Sequence, residues 1–285
     1  MIASVFRKIL CPIDFSDNSI AALDQAARLA RKSDALLYLM YVEFIPMSSP
    51  AELANYVTVS TEPGKLRLEQ IARKHLARVR HELVVQVGWP AELIERAAQD
   101  LDVDLVVMAT SGRSGVARFF LGSIAEHVVR TSKRPVLSFG PGAALGALKR
   151  ILCPVDFDPQ SIAALNFGWR LAQEYRAALS LLHVVRAPFE PSEVPVEPIT
   201  PEWEQDARAQ LAKVAADNLG AKAKYKLLVR RGNPAGAILE VEKELRPDMI
   251  VMATHGRGGL SHLVLGSVAD RIVRESSVPV LTVRG

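Results

Sequence analysis

Residues 9–30 read ILCPIDFSDNSIAALDQAARLA, and residues 151–172 read ILCPVDFDPQSIAALNFGWRLA. Each stretch opens on a short apolar run, turns at an Asp-Phe pair, and continues with apolar residues at helical spacing. Fourteen of the 22 paired positions are identical, which is a repeat and not a shared composition. Segments 103–137 and 247–281 match in the same way, at 18 of 35 positions. The copies are offset by 142 residues at Asp14 and Asp156 (156 − 14) and by 144 at Gly122 and Gly266 (266 − 122), so two residues have been gained or lost in between. Only two long units occur, which marks a duplicated domain and not a solenoid of short repeats. The domains are read as 1–140 and 149–285, joined by the Gly/Ala stretch Gly140-Pro141-Gly142-Ala143-Ala144-Leu145-Gly146-Ala147, which carries no strand or helix pattern.

Outward from the first turn, strand and helix patterns alternate. Strands are expected at 8–14, 35–42, 82–87, 104–109 and 135–139, and helices at 19–32, 63–81, 91–99 and 123–131. The second half follows the same order, from 150–156 through 249–253 to 279–283. Runs such as Leu105-Val106-Val107-Met108 and Ile250-Val251-Met252 are continuously apolar, the pattern of strands buried on both faces. The fold class is therefore α/β: two tandem, doubly wound, Rossmann-like parallel sheets of five strands, with right-handed crossovers. Segments 44–62 and 187–201 differ most between the halves. The second carries Pro188, Pro191, Pro195, Pro198 and Pro201 and is expected to be a stiff excursion.

Composition narrows the function classes. Apolar residues make up 49% of the 285 and charged residues 23%, ordinary for a soluble domain. The net charge of +4 is carried by dispersed residues (Arg28, Arg31, Lys32, Arg73, Lys74, Arg78, Arg80), so no basic stripe points to nucleic acid. No run approaches the roughly 20 apolar residues of a membrane span, and the first residues lack a signal peptide's pattern. A cytoplasmic protein with no membrane insertion is expected. Cys11 and Cys153 occupy the same place in the two repeats and read as small buried hydrophobes, too far apart for a disulfide.

In a doubly wound sheet, ligands bind beyond the carboxyl ends of the strands, where strand order reverses. The first turn, Pro12-Ile13-Asp14-Phe15-Ser16, lacks the dinucleotide fingerprint, and no G-x-x-x-x-G-K-[ST] loop occurs. Glycines gather after the fourth strand instead, as Ala109-Thr110-Ser111-Gly112-Arg113-Ser114-Gly115 and then Leu121-Gly122-Ser123 opening a helix. The second copy reads Ala253-Thr254-His255-Gly256-Arg257-Gly258-Gly259 and then Leu265-Gly266-Ser267. Glycine allows close backbone approach, and a helix N-terminus offers N–H groups to an anion. Gly122-Ser123 and Gly266-Ser267 are candidate phosphate sites, and Arg113 and Arg257 suit phosphate geometry as well as they suit solvent.

The pattern A-x2-G-x9-G-S, present twice and each time preceded by an Asp at the end of the first strand, resembles the universal stress protein family. The ATP-binding members of that family carry G-x2-G-x9-G-[ST]. The likeness extends to the CPxDF opening, to Gly88-Trp89-Pro90 and Gly232-Asn233-Pro234 before the third helix, and to the closing Pro-Val-Leu strands. It implies a stress-response or regulatory module that binds ATP, with Mg2+ left open beside it, in each half. Carried over by position, Asp14 and Asp156 meet the ribose or adenine side, and Val42 and Val184 bond the adenine edge through their backbones. Gly112 and Gly256 line the phosphate path, while Gly122, Ser123, Gly266 and Ser267 hold phosphates. Ala109 and Ala253 stand where the family has its first glycine, and an alanine is accommodated there if φ is negative. The resemblance also implies an intramolecular pseudo-dimer by antiparallel pairing of the closing strands 136–139 and 280–283, with a homodimer as a further assembly.

No catalytic residue is assigned. Gly112-Arg113-Ser114-Gly115 has the wrong spacing for a nucleophile elbow, and His183 falls opposite Tyr41, His127 opposite Arg271. His255 and His262 lack Cys or carboxylate partners for a metal. Two alternatives stay open: a nucleotide-independent scaffold with a degenerate site, and a weak ATPase using Asp14 and Asp156.

Overall fold

The apolar run Ile9-Leu10-Cys11 forms the centre of strand β1 (Lys8–Ile13), and all three side chains are wholly buried. In the computed structural model, which describes residues 4–44, 50–112, 121–186, 201–220, 223–254 and 265–284, the chain divides into two compact units, Met1–Ala144 and Leu145–Gly285. In the first, β1 is followed by α1 (Asp17–Ser33), β2 (Leu36–Glu43), α2 (Pro50–His75), β3 (His81–Val87), α3 (Pro90–Asp100), β4 (Leu105–Ala109), α4 (Ser123–Thr131) and β5 (Val136–Phe139). The second runs β6 (Arg150–Pro154), α5 (Pro159–Tyr175), β7 (Ala178–Val185), α6 (Pro201–Leu219), β8 (Tyr225–Arg231), α7 (Pro234–Leu245), β9 (Met249–Ala253), α8 (Ser267–Glu275) and β10 (Val280–Val283).

Within the first domain the strand order is β3-β2-β1-β4-β5, and within the second β8-β7-β6-β9-β10. Neighbours in both are parallel, with Ile13 opposite Tyr41 at the end of the β1–β2 ladder and Ile9 opposite Leu105 in β4. The chain steps outward from β1 to β3, then returns to the other side of β1 at β4. That reversal opens a crevice beyond the carboxyl ends of β1 and β4, and its counterpart lies beyond β6 and β9. Helices α1 and α2 touch each other, as do α3 and α4, and the second domain repeats this with α5 and α6, α7 and α8. Such pairing is what two helical layers on opposite faces of a sheet produce.

A carboxylate fastens the start of each central strand. Asp104 Oδ2 accepts the backbone N–H groups of Arg7 and Lys8 at 2.7 and 2.9 Å, and Asp248 Oδ2 accepts those of Lys149 and Arg150, both at 2.8 Å. The backbone returns the contact, Asp104 N–H donating to Lys8 O and Asp248 N–H to Arg150 O. Changing Asp248 to Ala strips two donors of a charged acceptor and is expected to cost about 2 kcal/mol. Urea unfolding that reports less than about 0.5 kcal/mol would show that water replaces the carboxylate without loss.

The helix ends depart from the sequence reading in instructive ways. Helix α1 begins two residues before the expected start, because Ser16 accepts the N–H of Ser19 and caps it. At the other end Asp34 adopts φ 53°, as Arg176 (φ 54°) and Arg246 (φ 47°) do after α5 and α7. Helix α2 was expected over 63–81 but runs from Pro50 to His75, with Pro63 inside it. A proline removes one backbone donor and disfavours the turn before it, yet α2 continues through Pro63. The early stop follows from Arg78, whose φ of 64° turns the chain into β3. Burial pushes the Cys11 and Cys153 thiols well up, as expected of inert core residues. Of the proline-bearing excursion, 187–200 lies outside the described residues and Pro201 opens α6.

Candidate functional site

The crevice is built from the turn after β1. Phe15 takes φ 65° and Phe157 φ 67°, a left-handed conformation that is strained for a bulky side chain. Ring contacts hold the turn in place. Phe15 lies 4.4 Å from the Tyr41 ring, centroid to centroid, and the Arg67 guanidinium sits 4.3 Å over its face. In the second domain Phe157 stacks on His183 at 4.1 Å, and His183 Nδ1 lies 2.7 Å from Val155 O, a distance that makes Nδ1 the donor to that carbonyl. Both phenylalanines belong to the Asp-Phe turn quoted from the sequence, but neither was given a role at the site, although their repetition in both copies was the available signal.

This turn aims a carboxylate at the glycine loop. Asp14 Oδ1 accepts the Ser16 N–H at 3.0 Å and the Ser16 hydroxyl at 2.6 Å, which fixes its plane. Asp14 Oδ2 then lies against Gly112, so close that a Cβ on residue 112 would overlap it. Asn18 holds the same loop from α1, its amide donating to Ser111 Oγ at 3.0 Å. In the second domain Asp156 Oδ1 accepts the Asp158 N–H at 3.2 Å, while Asp158 accepts the Gln160 N–H at 3.0 Å and caps α5. The serine of one copy is a second carboxylate in the other, so the two crevices differ in charge.

The glycine side of the crevice rests on something other than backbone freedom. Gly122 and Gly266 have φ of −63° and −61°, and Gly112 is absent from the positive-φ glycines, so these three do not need glycine's conformational freedom. What Gly112 provides is space, since a Cβ there would overlap Asp14 Oδ2. The N–H of Gly122 donates to Thr110 O at 2.7 Å and that of Gly266 to Thr254 O at 2.9 Å, tucking each helix start under the end of β4 or β9. Gly122 and Gly266 are the N-caps, with no side-chain cap, and Ser123 and Ser267 are the first helical residues, exposed to solvent. The first-turn N–H groups of α4 and α8 therefore have no intrahelical acceptor. Ala109 and Ala253 end β4 and β9 without positive φ, so an alanine is accommodated at both.

Strand β2 runs past Ile13, the last β1 residue paired with it, so that Val42 borders the turn on its β1 edge while pairing with Gln86 of β3 on the other. In the second domain Val184 does the same and lines a cavity of about 290 Å³ with Asp156, His183, Val185 and Arg186. The structure thus brings Asp14, Val42, Ala109, Gly112, Gly122 and Ser123 to one end of the first sheet, and Asp156, Val184, Ala253, Gly266 and Ser267 to one end of the second. Arg113, Gly256, Arg257 and the two loop histidines lie outside the described residues. No group of three or more His, Cys, Asp or Glu side chains that could hold a metal comes together among the described residues. No described helix is long and apolar enough to cross a membrane.

Comparison with known proteins accounts for this arrangement. The model of the universal stress protein family matches the chain twice, over residues 6–139 and 147–284. The chain belongs to the universal stress protein family. A universal stress protein from Mycolicibacterium smegmatis is 30% identical over 97% of this chain and 96% of its own length. One from Synechocystis is 26% identical over 98% of this chain and its entire length, so tandem domains occur in both relatives. A crystal structure of a universal stress protein from Archaeoglobus fulgidus shares the fold, with a TM-score of 0.76 at 22% identity, over 97% of this chain and 98% of that one.

Proposed function

We propose that the chain is an ATP-binding regulatory module of the universal stress protein family, with one nucleotide site at the strand ends of each domain. The observation that carries the reading is the meeting of Asp14 with Gly112 beside the uncapped start of α4: an acceptor for ribose hydroxyls, a gap in the side-chain wall, and N–H groups for phosphate at one crevice. The cavity beside Asp156 and Val184 supports an equivalent site in the second domain. Both crevices suit the nucleotide: the glycines leave room for phosphates, and the backbones at Val42 and Val184 offer hydrogen-bonding groups to an adenine edge. A bound ATP would bring its own Mg2+, because no cluster of carboxylates among the described residues is assembled to hold a resident ion.

Binding is favoured over turnover because Asp14 Oδ1 and Asp156 Oδ1 already accept the hydrogen bonds that orient their turns. The same reading includes a cytoplasmic location and pairing of the closing strands 136–139 and 280–283 within one chain, which a monomeric mass at micromolar concentration would support.

The test is to purify the protein without added nucleotide, denature it, and identify what is released by chromatography and mass spectrometry. One to two equivalents of ATP or ADP per chain are expected. If nothing is released and millimolar ATP then gives no calorimetric signal, any binding is weaker than about −4 kcal/mol, and the protein is a nucleotide-independent scaffold.

A further inference from the structure

The two domains differ sharply at one place beside the site. After β8 the second domain has Asn233, whose side-chain oxygen accepts the Gly236 N–H at 3.1 Å and caps α7. At the same position the first domain has Trp89, which gives α3 no side-chain cap and leaves the indole 66% exposed. A large apolar ring has replaced a good cap, a local cost in both helix stability and hydration. Trp89 also has company. Phe44, itself 44% exposed, places its ring centroid 4.9 Å from that of Trp89 at an interplanar angle of 59°. Its counterpart in the second domain is Arg186, so the aromatic pair belongs to the first domain alone.

The pair stands on the nucleotide side of the sheet. Phe44 directly follows β2, two residues after Val42, and Trp89 follows β3 two residues after Val87, which is paired with Glu43. A hydrogen bond from Gly88 N–H to Glu43 O, 3.0 Å long, ties the two strand ends together. Both rings therefore lie at the carboxyl ends of adjacent strands, next to the backbone read above as the adenine edge. Exposed aromatic faces at such a position bind planar heterocycles by stacking, a contact that every base can make.

We propose that Trp89, backed by Phe44, is a base-stacking residue that gives the first domain a tighter grip on the nucleobase than the second. The inference rests on the nucleotide-binding reading above. Its test is the emission of Trp89 in the full-length chain carrying Trp169→Phe and Trp203→Phe, titrated with ATP and, separately, with inorganic tripolyphosphate, which has no base. ATP is expected to change the emission saturably with the calorimetric midpoint of one site, whereas tripolyphosphate leaves it unchanged. Trp89→Asn, which restores the cap found in the second domain, is expected to weaken that site about tenfold without lowering the melting temperature, and Trp89→Phe to recover most of the loss. If wild-type protein binds ATP but Trp89 emission stays constant and Trp89→Asn binds as well as wild type, the stacking role is overturned while nucleotide binding stands. Absence of any calorimetric binding overturns both.

Discussion

Replacing Gly112 with valine is expected to remove ATP from the first domain and leave the second unaffected, so that calorimetric stoichiometry falls by one per chain. Residue 112 has no room for a side chain, since even a Cβ would collide with Asp14 Oδ2 and come within 3.4 Å of its Cγ. Asp14 cannot simply swing away, because Ser16 grips its other oxygen through both backbone and hydroxyl. Valine must therefore displace either the carboxylate or the loop, and both line the crevice. A loss of at least a hundredfold in affinity, about 3 kcal/mol, is expected at that site. The far-ultraviolet circular dichroism should be unchanged, since residue 112 follows β4 and is not part of the sheet. The double variant Asp14→Ala with Gly112→Ala separates the causes: it relieves the collision and should still bind poorly, because the acceptor for the ribose is gone. Binding at wild-type strength in Gly112→Val would place the nucleotide elsewhere.

Valine at Gly168 is expected to be the most damaging single change in the second domain. Gly168 lies in α5 where the helix crosses β6 and β9, and a Cβ there would come within 2.6 Å of Cys153 Sγ and 3.5 Å of Val251 Cβ. Cysteine has one side-chain torsion and lies wholly in the core, so it cannot retreat without opening a gap elsewhere. Overpacking of this kind costs about 1–3 kcal/mol, and valine adds the poor helix propensity of a β-branched residue. A combined loss of about 3 kcal/mol should lower the second domain's melting transition by roughly 10 °C. Cys153→Ala, introduced with Gly168→Ala, should recover most of the stability lost in Gly168→Ala alone. Failure of that rescue would mean that Val251, not the thiol, limits the space.

Much of this architecture was legible because duplication prints the same rule twice. The DF turn, the apolar fourth strand and the G-S helix start each recur, and a feature that recurs in two diverged copies stands out from chance patterning. The order of strands and the end of the sheet that carries Asp14, Val42 and Gly122 followed from that alternation. Other features left no mark in the residue types. Arg78, Asp34, Arg176 and Arg246 turn the chain with positive φ although none is glycine, so neither the stop of α2 at His75 nor the exits of α1, α5 and α7 carried the usual signal. Pro63 reads locally as a helix start and lies in the interior of α2. The physical ground given for the glycine loop applies only in part: Gly112 and Gly122 have ordinary φ, and what constrains Gly112 is the volume already taken by Asp14. Steric exclusion of that kind is a relation between segments almost 100 residues apart in the chain, and no local pattern expresses it.

The contact between Gly168 and Cys153 has a bearing on how the two halves can evolve. In the first domain the corresponding pair is Ala26 and Cys11, both wholly buried, so there a methyl group and a thiol coexist. The two copies have kept the cysteine and settled on different helix seats above it. A duplicated gene is open to having one copy overwritten by the other, which would carry alanine into position 168 against a thiol with no room for it. Such an exchange is tolerated only if the whole strand–helix unit is copied at once. Divergence at a single glycine has thus made position 168 a poor acceptor for the alanine of the other half.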